Sequence, residues 1–255
     1  MNSSQAAHNQ SIVEQFTRQA VPFSRMATQS EELLLEMSGV TNDDTVLDVA
    51  CGPGIVACAF ATRARHVTGI DLTPAMIEQA QQRQRRLGLE NLTWQVGDVL
   101  ALPFPDAAFS LVITRYSFHH FLDPEAMFRE MMRVCQPGGT VMVVDATPLP
   151  DKAAAYNHVE KLKDPSHVRA LTEDELLRMA EAVGLQQIRT QRYAFELELE
   201  TSMQSFFPNP GDDERIRQIY RDDLERDALG MNVHLRDGQI HFAYPVLMLA
   251  GQKAA

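Results

Sequence analysis

Cysteine is scarce in this 255-residue chain: Cys51, Cys58 and Cys135 are all it has. An odd, sparse set excludes a disulfide framework and points to a reducing compartment. No C-x-x-C pair and no Cys/His cluster at zinc-ligand spacing occurs, so no metal is expected. Basic residues are also few. Lys and Arg total 23 against 34 Asp and Glu, a formal charge of −11. Such a surface repels phosphate backbones and argues against nucleic acid as a partner. Long apolar runs are missing as well. The longest, such as Tyr244 to Ala250, are strand-length, whereas a membrane-spanning helix needs roughly 20 apolar residues. The opening MNSSQAAHNQS is polar and does not read as a secretory signal. These absences lead to the expectation of a cytoplasmic protein without membrane insertion.

Hydrophobic residues make up 45% and charged residues 22%, close to the globular average. The length suits one domain with an elaboration. Residues 11–39 carry Ile12, Val13, Phe16, Val21, Leu33, Leu34 and Met37 at helical spacing, and Pro22 is expected to divide them into two helices. From Thr45 onward, short apolar runs alternate with amphipathic stretches. Strands are expected at 46–49, 67–70, 93–96, 109–114 and 140–144, with helices at 55–65, 74–87 and 125–134 between them. Pro137-Gly138-Gly139 reads as a turn before the fifth strand. Strands separated by helices of this length indicate βαβ units and a parallel sheet. A helix over 173–182 is expected to end at Gly184 in a left-handed cap. Late apolar runs at 188–197 and 242–250 read as two more strands. Between them, residues 198–241 include Met203, Phe206-Phe207-Pro208-Asn209-Pro210 and a charged helix over 212–226. An insertion of that length in a compact α/β domain reads as a lid.

The first strand runs into Ala50-Cys51-Gly52-Pro53-Gly54. Glycines there let a ligand approach the backbone, and the following helix offers free N–H groups. The match to a dinucleotide fingerprint is formal, and a plain strand-to-helix turn is the simpler alternative. Asp48, inside the strand ahead of the loop, decides which ligand suits it. A carboxylate is unfavourable beside a pyrophosphate and favourable beside an ammonium group. S-adenosylmethionine has an ammonium, a carboxylate, a ribose and an adenine, but no phosphate. Taken alone, Asp48 would be a helix-capping carboxylate. Asp71 ends the second strand, close to the spacing at which an acid accepts hydrogen bonds from ribose hydroxyls. Leu72 and Met76 stand where an adenine would be sandwiched. Asp98, in Gly97-Asp98-Val99 after the third strand, suits an adenine amino group. Each acid alone is ordinarily a solvated strand end, but three at successive strand ends mark one ligand edge.

Five stretches, VLDVACGPG (46–54), VTGIDLTPAMIEQA (67–80), GDVLALPFPDAAFSLV (97–112), SFHHFLDP (117–124) and RVCQPGGTVMVVD (133–145), resemble the class I S-adenosylmethionine-dependent methyltransferases. More narrowly they are similar to the ubiquinone/menaquinone-type small-molecule branch. One departure is Ala50, where the family's loop usually has its first glycine; alanine is tolerable if that residue need not take positive φ. The resemblance implies a Rossmann-like, doubly wound α/β fold with a seven-stranded sheet whose last strand is antiparallel. It implies one methyltransferase domain over 1–255, with an N-terminal helical cover (1–40), a cofactor-binding core (41–150) and the lid (198–241). S-adenosylhomocysteine would be the product. Asp48, Ala50, Gly52 and Gly54 would hold the methionine moiety and Asp71 the ribose, with Leu72 and Met76 beside the adenine. Asp98 and Val99 would fix the adenine, and Thr114 and Arg115 would offer backbone groups near the sulfonium. Phe16 and Phe23 match a helix that covers the cofactor, although ordinary helix packing explains them equally well. The stretch 156–169 also looks like a pattern in a bacterial subgroup of this branch.

Methyl transfer to oxygen or a carbon acid needs a base, and histidine titrates near neutrality. His120 is the first candidate, then His119 and His167. One packed and one solvated histidine is the plainer account of His119-His120. Tyr116, Asn157, Glu160, Arg169, Phe206 and Phe207 are candidate contacts for a small-molecule acceptor. An NAD-dependent oxidoreductase shares the glycine loop and Asp71 but leaves Asp48 and Asp98 unexplained. A non-catalytic S-adenosylmethionine-binding protein is the other alternative. The acceptor's identity, the methylated atom and the oligomeric state stay open.

Overall fold

The computed structural model describes residues 3–24 and 30–255. Two helices, α1 (Ser3–Ser24) and α2 (Glu31–Ser38), precede an alternating core. That core runs β1 (Thr45–Val49), α3 (Ile55–Phe60), β2 (His66–Asp71), α4 (Pro74–Leu87), β3 (Leu92–Val96), β4 (Phe109–Arg115), α5 (Pro124–Val134) and β5 (Cys135–Ala146). Then come α6 (Ala153–Lys163), α7 (Glu173–Ala182), β6 (Leu185–Glu198), α8 (Leu199–Met203), α9 (Asp212–Asp223), β7 (His234–Arg236) and β8 (Gln239–Lys253).

The strand order is β3-β2-β1-β4-β5-β8-β6, with β7 paired to β8. β1 to β5 are parallel, and β8 runs antiparallel to both β5 and β6. The expected seven-stranded arrangement is therefore present, with β7 added as a short hairpin partner. Its turn, Asp237-Gly238, has positive φ at both residues, the geometry of a tight two-residue hairpin. Strand order reverses between β1 and β4: the chain builds outward to β3 on one side and then crosses back to β4 on the other, so a crevice opens at the carboxyl ends of these strands.

Period-two alternation splits the core into two faces. Leu47, Val49, Val112, Val141, Val143, Leu247 and Leu249 pack with α5 and α7. Their neighbours Val46, Ile113, Met142, Val144, Val246 and Met248 pack with α2 and α3. Met131 and Met132 are buried in the helix core. A third cluster joins α6, α8, α9 and the strand residue Phe242. None of the described helices is long and apolar enough to cross a membrane.

Several expected boundaries move. α1 begins at Ser3 and runs past Pro22 to Ser24, because proline's fixed φ is helical and only one backbone bond is lost so near the end. α3 stops at Phe60 rather than Arg65, where Ala61–Ala64 tighten into turns. Pro137-Gly138-Gly139 lies within β5, where pairing with β4 jumps from Phe109↔Cys135 to Leu111↔Thr140. It is a bulge in a strand, not a turn before one. α6 was not foreseen as a helix. The 173–182 helix and the left-handed Gly184 (φ 84) appear as expected.

Gly54 N-caps α3 at φ 75, and a Cβ there would stand 2.7 Å from Trp94 Cη2 and 2.8 Å from Ala80 Cβ. Gly54→Ala is expected to lower stability by about 2–4 kcal/mol, left-handed strain plus overpacking. The check is a lower urea midpoint at unchanged m value.

Candidate active site

A deep cavity of about 280 Å³ opens at the carboxyl ends of β1, β2, β4 and β5. Asp48, Ala50, Gly52, Asp71, Leu72, Met76, Asp98, Val99 and Arg115 line one half, and all were singled out in the sequence. Asp48 is 1% exposed, and its Oδ2 accepts from the Ala57 N–H at 2.9 Å. The helix-capping role and the cavity role therefore coexist. Burial pushes its pKa up to about 7; Arg115 and the Ala57 N–H pull against this, and Asp71 adds to it. Asp71 accepts from Gly52 N (2.9 Å) and Thr73 N (2.8 Å), so it braces the glycine loop as well as walling the cavity. Burial raises its pKa, and those two N–H groups oppose the rise. Asp98 accepts from Leu100 N at 3.0 Å and from Asn9 Nδ2 of α1 at 3.1 Å.

Ala50 has φ 54, so the condition attached to an alanine at this position is overturned. The residue sits in the left-handed region at a cost of about 1–2 kcal/mol. The loop holds it there: Cys51 N donates to Ile70 O at 3.0 Å and Gly54 N to Cys51 O at 3.0 Å. Two expected contacts are not cavity walls. Gly54 turns toward Trp94 and Ala80. Thr114 is fully buried, its Oγ1 donating to Val49 O at 2.7 Å and pairing with Ser117 Oγ at 2.5 Å. It ties β4 to β1.

α1 roofs the cavity. Phe16 and Phe23 both line it, stacked with centroids 6.2 Å apart, and Phe16 meets the His120 ring edge-on at 5.0 Å. Polar contacts hold this helix down: His8 Nε2 to His120 O (2.7 Å), Gln15 Nε2 to Phe207 O (3.2 Å) and Gln19 Nε2 to Asp164 Oδ2 (3.2 Å).

His119, His120 and His167 line the other half, with ring centroids 4.3, 5.3 and 6.3 Å apart pairwise. His119 Nδ1 lies 2.7 Å from Asp145 Oδ1. The Asp145 carboxylate, at the end of β5, is itself held by Phe118 N (2.8 Å) and Ala146 N (2.7 Å). Burial pulls the His119 pKa down, yet the charge and hydrogen bond of Asp145 outweigh it and hold the ring above its ordinary value. His120 is pushed down to about 4 by burial and by His119. His167 is pushed down to about 2 by burial and its two histidine neighbours, and its Nε2 pairs with Asn157 Oδ1 at 2.8 Å. No group of three or more His, Cys, Asp or Glu among the described residues is placed to hold a metal ion.

Of the other candidate contacts, Tyr116, Glu160 and Phe206 line the cavity. Asn157 does not: it clamps Ala153 O and Ala170 N from within α6. Arg169 faces solvent and pairs with Glu175. Phe207 lies outside the wall, offering its carbonyl to Gln15.

Asp145, Lys163, Phe195 and Tyr244 were missed. Asp145 lay in the open, an acid at a strand end like Asp48 and Asp71. Lys163 had no signal beyond its i,i+3 spacing from Glu160. Its side chain is 1% exposed, with Nζ 4.7–5.1 Å from the ring centres of Phe206, Tyr220, Phe242 and Tyr244. Glu160 Oε1 accepts from it at 2.6 Å and Tyr244 Oη at 3.1 Å. Burial lowers the Lys163 pKa, and Glu160 opposes the fall. Tyr116, Phe195 and Tyr244 stack in a row along the same wall.

Comparison with known proteins agrees with this geometry. A family described as "Methyltransferase domain" matches residues 46–139. The uncharacterized methyltransferase YcgJ of Bacillus subtilis (strain 168) is 29% identical over 228 residues, covering 87% of this chain and 89% of that protein. The crystal structure of YcgJ superposes with a TM-score of 0.81 at 26% identity, covering 89% of this chain and 98% of the other. A demethylmenaquinone methyltransferase of Thermus thermophilus is 38% identical over 110 residues, 42% of this chain and half of that protein. The fold is shared with geranyl diphosphate C-methyltransferase from Streptomyces coelicolor A3(2), at a TM-score of 0.60 and 19% identity over 88% of this chain and 78% of the other.

Lys163→Met would strand a largely buried Glu160 carboxylate and is expected to cost about 3–5 kcal/mol. Adding Glu160→Gln should recover most of the loss, as read by chemical denaturation of both variants.

Proposed function

Because the chain is a class I S-adenosylmethionine-dependent methyltransferase, we propose that the methyl donor lies along Asp48, Asp71 and Asp98, leaving the His119 end for a small-molecule acceptor. One observation carries this assignment: three strand-end acids wall one half of the cavity, and a fourth, Asp145, holds a histidine in the other.

The donor half fits that molecule chemically. Asp48 is a buried carboxylate suited to an ammonium, and a nicotinamide dinucleotide would set its diphosphate against it. Open space faces Gly52, where a Cβ would meet no atom within 4 Å, so a ligand can approach the loop backbone. In this assignment Asp71 accepts from the ribose hydroxyls. Leu72, Met76 and Val99 flank the adenine, whose amino group donates to Asp98. Phe16 and Phe23 close the roof.

When bound, S-adenosylmethionine supplies a methyl group already activated on a sulfonium. The protein's part is to place the acceptor, exclude water and remove a proton. Asp145 takes the His119 Nδ1 proton into a hydrogen bond, which leaves Nε2 with its lone pair. The same carboxylate stabilises the imidazolium formed when Nε2 accepts the acceptor's proton. This moves the base from His120, first in the sequence analysis, to His119. Phe16 and Phe206 shield the reacting centre, and the Tyr116–Phe195–Tyr244 row offers a flat apolar wall. Residues 198–241 serve as the second cover, meeting α1 at the Gln15–Phe207 contact.

Two measurements test these roles. In calorimetry, S-adenosylmethionine affinity is expected to rise with pH through about 7, where Asp48 ionises, and to level off as the ligand's amine deprotonates near 8. Asp48→Asn should bind more weakly and lose the rise. The sign for the free fold is opposite: a carboxyl whose pKa is raised on folding loses stability as pH climbs toward that value. For turnover, the rate is expected to climb with pH as His119 loses its proton, above the ordinary histidine value. Asp145→Asn should lower kcat about 10²-fold or more and shift that limb to lower pH.

A further inference from the structure

His120 is the residue that the mechanism leaves unused, and its surroundings are built. Its Nδ1 lies 3.2 Å from Ser166 Oγ, and Ser166 Oγ lies 2.6 Å from Asp164 Oδ1. A serine hydroxyl has one proton. The carboxylate takes it, so Ser166 must accept from His120, and His120 must carry its proton on Nδ1. Ser166 is fully buried and His120 is 7% exposed. Asp164 Oδ1 also accepts from Ser166 N at 2.7 Å, and its Oδ2 accepts from Gln19 of α1 at 3.2 Å. Val168 N and Arg169 N both donate to His119 O, at 2.8 and 3.1 Å, which seats the 164–169 segment against the two histidines.

The same proton arithmetic holds next door, where His119 donates Nδ1–H to Asp145. Two neighbouring imidazoles, 4.3 Å apart, thus share one tautomer. Both rings wall the cavity, and His120 also hydrogen-bonds the Ser166 backbone. The groups facing His120 are His119 beside it, His167 and Asp164 from the 164–169 segment, Asp145 at the end of β5, and Phe16 with His8 from α1. With His119 adjacent and the ring buried, a charge on His120 is disfavoured, so it stays neutral while His119 protonates.

We propose that Ser166 and Asp164 are positioning residues of the acceptor site: they lock His120 as the Nδ1–H tautomer, so that its Nε2 receives a hydrogen bond from the acceptor's reacting hydroxyl or amine. His119 Nε2 takes the proton, and His120 Nε2 aims the group that loses it. The chain ends on Gln19, so docking of the roof helix completes it. This rests on the methyl-transfer assignment but is testable apart from it.

The test is side-chain ¹⁵N NMR of the full-length protein with ¹⁵N-labelled histidine, with and without S-adenosylhomocysteine. His120 is expected to show a protonated Nδ1 and a bare Nε2 throughout the near-neutral range. Ser166→Ala should abolish that preference, while Asp164→Asn, which keeps an acceptor for the hydroxyl, should retain it. A wild-type His120 protonated on Nε2 would overturn the proposal whatever the variants do, as would an unchanged tautomer in a folded Ser166→Ala protein. In turnover of the acceptor found by labelled methyl transfer into cell extract, Ser166→Ala should lower kcat about 10²-fold at unchanged S-adenosylmethionine affinity. Unchanged kcat would overturn the proposal. Wild-type protein that labels nothing would count against the methyl-transfer assignment, while the tautomer measurement still decides the positioning role of Ser166 and Asp164.

Discussion

Everything at this site depends on where the strand order of a parallel sheet reverses. β1 lies between β2 and β4, and the connections on its two sides leave a gap above its carboxyl end. Backbone N–H groups of the glycine loop and of α3 face that gap, and so do the side chains that end the strands. Acids occupy those ends at Asp48, Asp71 and Asp145, with Asp98 just beyond β3. Burial makes each ionised carboxylate expensive unless a donor meets it. Ala57, Gly52, Thr73, Leu100 and Phe118 meet them in part with backbone N–H groups. Asp48 accepts from the Ala57 N–H, and burial still pushes its pKa up to about 7.

The cavity concentrates features that an ordinary core avoids. Ala50 is left-handed, Asp48 is buried against the Ala57 N–H, His120 and His167 are held neutral, and Lys163 is enclosed by rings. Each opposes folding. The sheet away from the rim shows none of this: Val46 and Leu47, Val112 and Ile113, and Val141 to Val144 alternate between two apolar faces. Stability generated there supports the strain gathered at the rim, the division expected of a functional site.

The sheet, the helices at 74–87 and 173–182 and the three acids Asp48, Asp71 and Asp98 that line the cavity were legible because each rests on local pattern. Period-two and period-3.6 spacing, glycine punctuation and an acid at a strand end are all visible in a few consecutive residues. What failed depends on side-chain direction or on distant partners. Thr114, Asn157, Arg169 and Phe207 sit next to cavity residues in the chain but point elsewhere. His119 and His120 are adjacent on one short turn, and only Asp145, 26 positions on, and Ser166, 46 positions on, distinguish them. The positive φ of Ala50 is invisible in an alanine. Lys163 looks like any surface lysine until Phe206, α9 and β8 close over it.

Two covers meet over the cavity, one from each end of the chain. α1 bridges the halves by contacting Asp98 on one side and Asp164 and the carbonyl of His120 on the other. Segment 198–241 adds Phe206 and the carbonyl of Phe207. The most direct check on the account is a crystal structure of the complex with S-adenosylhomocysteine. It should show the ligand's ammonium near the Asp48 carboxylate, its ribose on Asp71, and its sulfur facing the His119 end. A ligand bound away from the three acids, or an empty crevice at saturating concentration, would contradict the account.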